Sequence, residues 1–178
     1  MKFTPARLNG VWIVDLELRT DDRGFFARTW CEREFGERGL NTRWPQGNLT
    51  RTLHRGMIRG MHWQAAPHLE IKLVRCSQGA IWDVLVDVRR DSATFGGWES
   101  FELSAKNHRQ LYVPEGIAHG FQCLEDGSEV TYLMSEFYVS DTARGLRWND
   151  PQVGITWPIP DPLLSERDRS LPLLANLG

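Results

Sequence analysis

Along most of the chain, apolar and polar positions alternate in short runs rather than recurring at helical spacing. Residues 10–18 are anchored by Val11, Ile13 and Leu16. Residues 71–75 (IKLVR) are β-branched and alternating, and they end before the turn-forming Ser77-Gln78-Gly79. Residues 80–88 place Trp82, Val84, Val86 and Val88 on one face and Ile81, Asp83, Leu85 and Asp87 on the other. Further runs cover 98–103, 110–113, 121–124 and 129–139. A period of two, with Gly, Asp and Asn between runs, predicts a succession of short strands.

One stretch breaks this pattern. Residues 28–40 (RTWCEREFGERGL) carry apolar residues at helical spacing and predict a short helix ending near Gly39. After Asp150 come five of the nine prolines, which predicts an irregular C-terminal wrap over about 150–178 with short helical turns. Many short strands with a few short helices indicate an all-β fold, a jelly-roll sandwich or barrel. Such a barrel has an interior wide enough for one small ligand.

Composition narrows the functional classes. At 178 residues the chain is expected to form one domain, 1–178, large enough to bury about 70% of its unfolded surface. Lys plus Arg number 21 and Asp plus Glu 23, a net charge of −2, so no overall positive field draws in nucleic acid. The longest apolar run, near Ile81, is broken by Asp83 and Asp87 and is too short for a membrane span. The opening MKFTPARLNG has no apolar signal-like stretch, and a cytoplasmic location is expected. Cys31, Cys76 and Cys123 are widely spaced and form no CxxC, as expected of buried thiols in a reducing compartment. Eight Trp, eight Phe and three Tyr suit a β-rich body or a lined ligand cavity.

Two of the five histidines stand in distinctive company. His62 follows Arg59 in a run that leads toward Lys72, and His119 closes the P-x-G-x-x-H stretch Val113-Pro-Glu-Gly-Ile-Ala-His119. That second stretch resembles a motif of the cupin superfamily of jelly-roll barrels. Metal-binding cupins place a second His two residues after the first, but this chain has Gln64 there, with Glu70 too far along. His62, Glu70, His119 and a neutral amide make a poor set for a divalent transition metal, so no metal is expected. His54, His68 and His108 read best as hydrogen-bonded core histidines.

A longer ordered set of stretches is more specific. It comprises Asp21-Asp-Arg23-Gly-Phe-Phe26, Gln46-Gly-Asn48, Arg59-Gly-Met-His62, Lys72-Leu-Val-Arg75, Asp83-Val-Leu-Val-Asp-Val-Arg89, the 113–121 stretch, Tyr132, Arg144-Gly-Leu-Arg-Trp-Asn-Asp-Pro151 and Ser165-Glu-Arg-Asp168. From about residue 21 to 174 the chain resembles the dTDP-4-dehydrorhamnose 3,5-epimerase family, a metal-free branch of the cupins. The resemblance implies a cupin-type jelly roll that epimerises C3, C5 or both of a nucleotide-diphosphate 4-keto-6-deoxy sugar. It implies no metal or redox cofactor, a homodimer with exchanged N-terminal strands, and a place in deoxysugar biosynthesis. Protons next to the ketone are acidic because the carbanion delocalises into an enolate, and inversion needs a base on one face and an acid on the other.

By the same resemblance His62 is the base, a role imidazole suits because its charge changes near neutral pH. Tyr132 is the acid, and Asp168 orients His62, with Asp83 a second candidate for that task. Lys72 is placed beside the 4-keto oxygen, where fixed charge stabilises the enolate. Arg23 and Arg59 are assigned to the diphosphate, Gln46 and Asn48 to base or ribose, and His119 and Arg167 to ligand binding. Two residues depart from the family pattern, Arg28 and Ala143, each standing where an acidic residue is common. With a longer segment between Asn48 and Gly56, they bear on which nucleotide is bound. The alternatives are a mono-epimerase at C3 or C5, or a sugar-nucleotide-binding cupin without turnover. The latter has no need for the His62, Lys72, Tyr132 and Asp168 set.

Overall fold

The computed structural model describes residues 1–177 and is built almost entirely from antiparallel strands. In chain order they are β1 (Lys2–Pro5), β2 (Trp12–Asp15), β3 (Arg19–Asp21), β4 (Gly24–Phe26), β5 (Gln46–Thr52), β6 (Ile58–Gln64), β7 (Lys72–Gln78), β8 (Ala80–Asp87), β9 (Trp98–Ser104), β10 (Arg109–Val113), β11 (Ile117–Cys123), β12 (Ser128–Met134) and β13 (Ala143–Gly145). A six-stranded sheet has the order β1-β2-β10-β7-β12-β5, and a five-stranded sheet the order β13-β6-β11-β8-β9. β3 and β4 form a separate hairpin. This is the expected all-β jelly roll.

The main core lies between the two sheets. It joins Val74, Cys76, Leu111, Val113 and Val130 of the larger sheet to Ile81, Leu85, Leu103, Phe121 and Cys123 of the smaller. A second cluster, with Met61, Val84, Val86, Ala118, Leu146 and Leu174, occupies the outer face of the five-stranded sheet. The C-terminal segment covers that face, which explains why both faces of β8 are buried.

That segment is irregular but anchored. The Gln122 amide donates to the Gly56 and Ile159 carbonyls and accepts from the Ile159 amide. The buried Asp150 carboxylate accepts from the amides of Gln152, Val153 and Leu174. These bonds satisfy backbone groups that a prolyl-rich stretch cannot pair in a ladder, and they fix the following turn, α2 (Glu166–Arg169), against β6.

Several expectations need correction. The helix predicted over 28–40 is only α1 (Glu32–Gly36), which then unwinds through tight turns to Gly39. Its sole fully buried side chain is Phe35, and Cys31 at its N-cap makes no capping bond, so little holds a longer helix. The strand expected over 10–18 stops at Asp15, because the chain leaves the sheet for the β3–β4 hairpin. The run expected over 129–139 ends at Met134. β5 and β6 are strands that the apolar pattern does not predict; the β5 sequence QGNLTRT is largely polar and has little apolar signal. Of the thiols, Cys76 and Cys123 are buried and Cys31 half-buried, all three free. Burial pushes the Cys76 thiol up to about 12, leaving it unreactive.

Candidate active site

Between the open ends of the two sheets lies a cavity of about 560 Å³. The strand register decides which side chains enter it. On the six-stranded sheet Tyr132 pairs with Asn48 on one side and Val74 on the other, while Met134 pairs with Gln46 and Lys72. Alternation therefore puts Gln46, Asn48, Lys72 and Tyr132 on one inward face. On the five-stranded sheet His119 stands opposite His62 in the β11–β6 ladder. The cavity thus has one wall carrying Lys72 and Tyr132 and another carrying the two histidines.

The histidine wall depends on a close backbone approach. Gly60 has φ +123°, and a Cβ there would lie 2.5 Å from the Cα of Gly120. Only glycine fits. The contact coincides with a register shift in β11 between His119 and Phe121. It also turns the Gly60 amide toward Asp168, whose Oδ2 accepts from it at 3.3 Å.

Each histidine is held by its own carboxylate. His62 Nε2 lies 2.7 Å from Asp168 Oδ1, and His119 Nε2 lies 2.8 Å from Asp83 Oδ2. Of the two partners left open for His62, Asp168 is therefore the one in place, and Asp83 serves His119. Burial drives the Asp168 carboxyl upward, but His62, the Gly60 amide and Ser165 outweigh it and hold it below its ordinary value of 3.8. An ionised carboxylate only accepts, so the hydrogen resides on His62 Nε2 and the lone pair on Nδ1. Asp83 is fully buried, and burial raises it despite the opposing influence of His119 and Lys72.

Lys72 is buried and forms an ion pair with Glu70, Nζ to Oε1 2.6 Å, while donating to the His62 carbonyl at 3.2 Å. At the mouth, Arg59 donates to Thr52 Oγ1 and the Arg51 carbonyl. Arg167, on α2, is exposed at the same mouth. Asn48 and Gln46 reach the cavity beside Met134, and the Gln46 Oε1 accepts from the Tyr138 amide.

Other expectations fall elsewhere. Arg23 does not reach the cavity: it sits exposed on the β3–β4 hairpin, paired with Asp21. Arg28 pairs with Glu34 at 3.1 Å away from the cavity, whereas Ala143 lines it. His54 is exposed, not a core residue, because it sits in the β5–β6 connection. His108 tilts against Phe25, and its Nδ1 has no partner. Gln64 is no free amide: it donates to the carbonyls of His68 and Phe137 and accepts from the Val139 amide, tying down the loop that bears Tyr138. Glu70 is likewise committed to Lys72. Among the described residues, no three His, Cys, Asp or Glu side chains gather as metal ligands would.

A sequence model described as dTDP-4-dehydrorhamnose 3,5-epimerase matches residues 5–176. The chain belongs to the dTDP-4-dehydrorhamnose 3,5-epimerase family. The Shigella flexneri enzyme of that name is 40% identical over 169 residues, covering 94% of this chain and 93% of its own. A Streptomyces niveus protein named dTDP-4-dehydrorhamnose 3-epimerase is 39% identical, covering 98% of this chain and 84% of its own. The crystal structure of the Bacillus anthracis 3,5-epimerase with TDP and PPi bound superposes with a TM-score of 0.94 at 41% identity, covering 97% and 98% of the two chains.

Against that family background, the epimerase cavity holds residues that sequence reasoning did not single out for a role. Tyr138, Arg144 and Trp63 line it. The Glu70–Lys72 pair had a legible signal, since residues two apart on an extended segment share a face. Arg144, on β13, opens one of the stretches that carry the resemblance but was given no role there, and Tyr138 had no signal, because it lies in the loop after β12.

Proposed function

We propose that this protein epimerises a nucleotide-diphosphate 4-keto-6-deoxy sugar at C3, C5 or both, through an enolate. The observation that carries this reading is the placement of a carboxylate-held imidazole and a phenol on opposite walls of one cavity, with a buried ammonium beside them. His62 takes the proton with its Nδ1 lone pair, and Asp168 stabilises the imidazolium that forms. Negative charge moves to the 4-keto oxygen, where Lys72 and His119 donate to it. Tyr132 delivers a proton from the opposite face; the site is reset when the His62 imidazolium releases its proton to solvent and the Tyr132 phenolate takes one up. Arg59 and Arg167 meet the diphosphate with guanidinium forks at the mouth, while Gln46 and Asn48 meet the nucleoside.

Arg23 joins this site in a homodimer, donated by the partner's hairpin. Two side chains of that hairpin, Phe25 and Phe26, are 54% and 65% exposed, which is costly for adjacent phenylalanines in a lone chain. The test of function is proton exchange. Incubating the enzyme with a thymidine-diphosphate 4-keto-6-deoxy sugar in heavy water is expected to place deuterium at C3 and C5, read by NMR. Deuterium at one carbon only makes it a mono-epimerase, like the named function of the Streptomyces niveus relative. No deuterium at either carbon refutes the reading.

A further inference from the structure

We propose that Glu70 is the positioning residue for Lys72, setting the direction in which the ammonium meets the 4-keto oxygen; the inference rests on the epimerase reading above. Glu70 lies two residues before Lys72, the first residue of β7, on the same face of the extended chain, with 7% of its surface exposed. Its Oε1 stands 2.6 Å from Lys72 Nζ, and Nζ also donates to the His62 carbonyl at 3.2 Å. An ammonium has three donors in a fixed tetrahedral arrangement. With two directions anchored, the third is left for the cavity that Lys72 lines. The second anchor belongs to the residue that bears the base, so the carbonyl partner and the proton acceptor sit at a set separation.

The energetics of the pair favour a functional origin. Both groups are buried, and Glu70 Oε2 has no hydrogen-bond partner at all. A buried ion pair with an unsatisfied oxygen is a poor device for stability, because desolvation is not fully compensated. Such cost is expected where a group must be held for reaction. A lysine on its flexible stem without this anchor would sample several rotamers, and misplacing a charge by about an ångström can cost on the order of a hundredfold in rate.

The test is a double-mutant cycle read in kcat and KM for deuterium exchange. Glu70→Leu is expected to lower kcat by roughly a hundredfold, with KM changed less than about threefold. In the Lys72→Met background the same substitution is expected to lower kcat less than about threefold, because nothing remains to be positioned. Glu70→Gln keeps an acceptor at that place and is expected to recover at least about tenfold of what Glu70→Leu loses. Thermal melts of all variants guard against misfolding; if Glu70→Leu fails to fold, Glu70→Gln and Glu70→Ala carry the same cycle. Independent losses in the two backgrounds overturn the role, as does a Gln variant as slow as the Leu variant. Absence of exchange in the wild type overturns the epimerase reading itself, and with it the role, whereas exchange in the wild type with additive losses overturns the role alone.

Discussion

Replacing Asp168 by Asn changes one atom type and tests the base directly. Asp168 is buried on α2, with Oδ1 at 2.7 Å from His62 Nε2 and Oδ2 accepting from the Gly60 amide. When His62 takes a proton, an imidazolium faces this carboxylate with charge centres about 4 Å apart, and at an effective dielectric near 20 that attraction is worth about 4 kcal/mol. Since each 1.36 kcal/mol is tenfold in rate, losing it slows proton abstraction by roughly a thousandfold. The amide adds a second fault: if its NH2 donates to Nε2, the hydrogen moves to Nδ1 and the basic lone pair is gone. The Asp168→Asn variant is expected to lower exchange at each exchanging carbon by about 10²–10⁴-fold, the range of general base catalysis. KM should hardly move, since the carboxylate acts through His62. The assay is deuterium incorporation by NMR under single-turnover conditions, with urea melts to show that the variant is folded. Exchange within about threefold of wild type, or a loss confined to KM, refutes the dyad.

Base and acid should also separate from each other. His62→Ala is expected to abolish exchange altogether, whereas Tyr132→Phe should cripple inversion yet retain exchange, as His62 trades its proton for a solvent deuteron and returns that to the face the proton left; equal loss of exchange in both reverses the assignment. Lys72→Met is expected to lower kcat and kcat/KM together by roughly 10²–10³-fold, because the enolate charge appears only during reaction. Arg59→Met should mainly raise KM, since a diphosphate is charged throughout; steady-state kinetics on the two variants checks the contrast. Asp87 offers a stability test away from the cavity. Burial alone would raise its carboxyl, but bonds from Arg89, Ser92 and Thr94 lower it to about 2, below its ordinary 3.8. A depressed folded-state value contributes stability present above about pH 4 and lost as pH falls toward 2, here about 2 kcal/mol. Urea midpoints of Asp87→Asn and wild type should therefore differ near neutral pH and converge near pH 2.

The readability of the chain varied with how much each segment's residues serve packing. In β7 and β8, runs such as Ile81 to Asp87 follow the strand period because alternate residues meet two different cores. In β5 and β6 the inward positions hold Gln46, Asn48 and His62 in place of core residues, so the segments that line the cavity gave the weakest strand signal. The site had the opposite problem. His62, Lys72, Tyr132 and Asp168 come from β6, β7, β12 and α2, and no local pattern joins them. Family resemblance named them, but resemblance left Asp83 and Asp168 both open for His62. Pairing of β8 with β11 resolves it, because the Phe121–Asp83 register places Asp83 diagonally beside His119. Arg23 reads as a ligand residue from its motif, yet in the single chain it lies outside the cavity.

The proposed arrangement suits either outcome, and relatives named for one inverted centre and for two are 39% and 40% identical to this chain. If the 4-keto oxygen is held at Lys72 as proposed, C3 and C5 are each one bond from the carbonyl carbon, on either side of it. The enolate is flat, so its two faces look toward the two walls of the cavity, one bearing His62 and the other Tyr132. Whichever carbon sits between them can be inverted by the same pair. A second inversion needs only that the ring shift while its oxygen stays on the ammonium. On the proposed roles the same catalytic residues serve both outcomes, and we expect the number of centres to be set by side chains that seat the ring, of which Phe121, Met134 and Tyr138 line this cavity. Enlarging or shrinking one of these should change the ratio of deuterium at C3 to C5 while leaving abstraction at the favoured carbon fast. If Met134→Ala, Phe121→Leu and Tyr138→Phe all slowed both carbons in proportion, ring seating would not be the determinant, and selectivity would have to reside in the base and acid themselves.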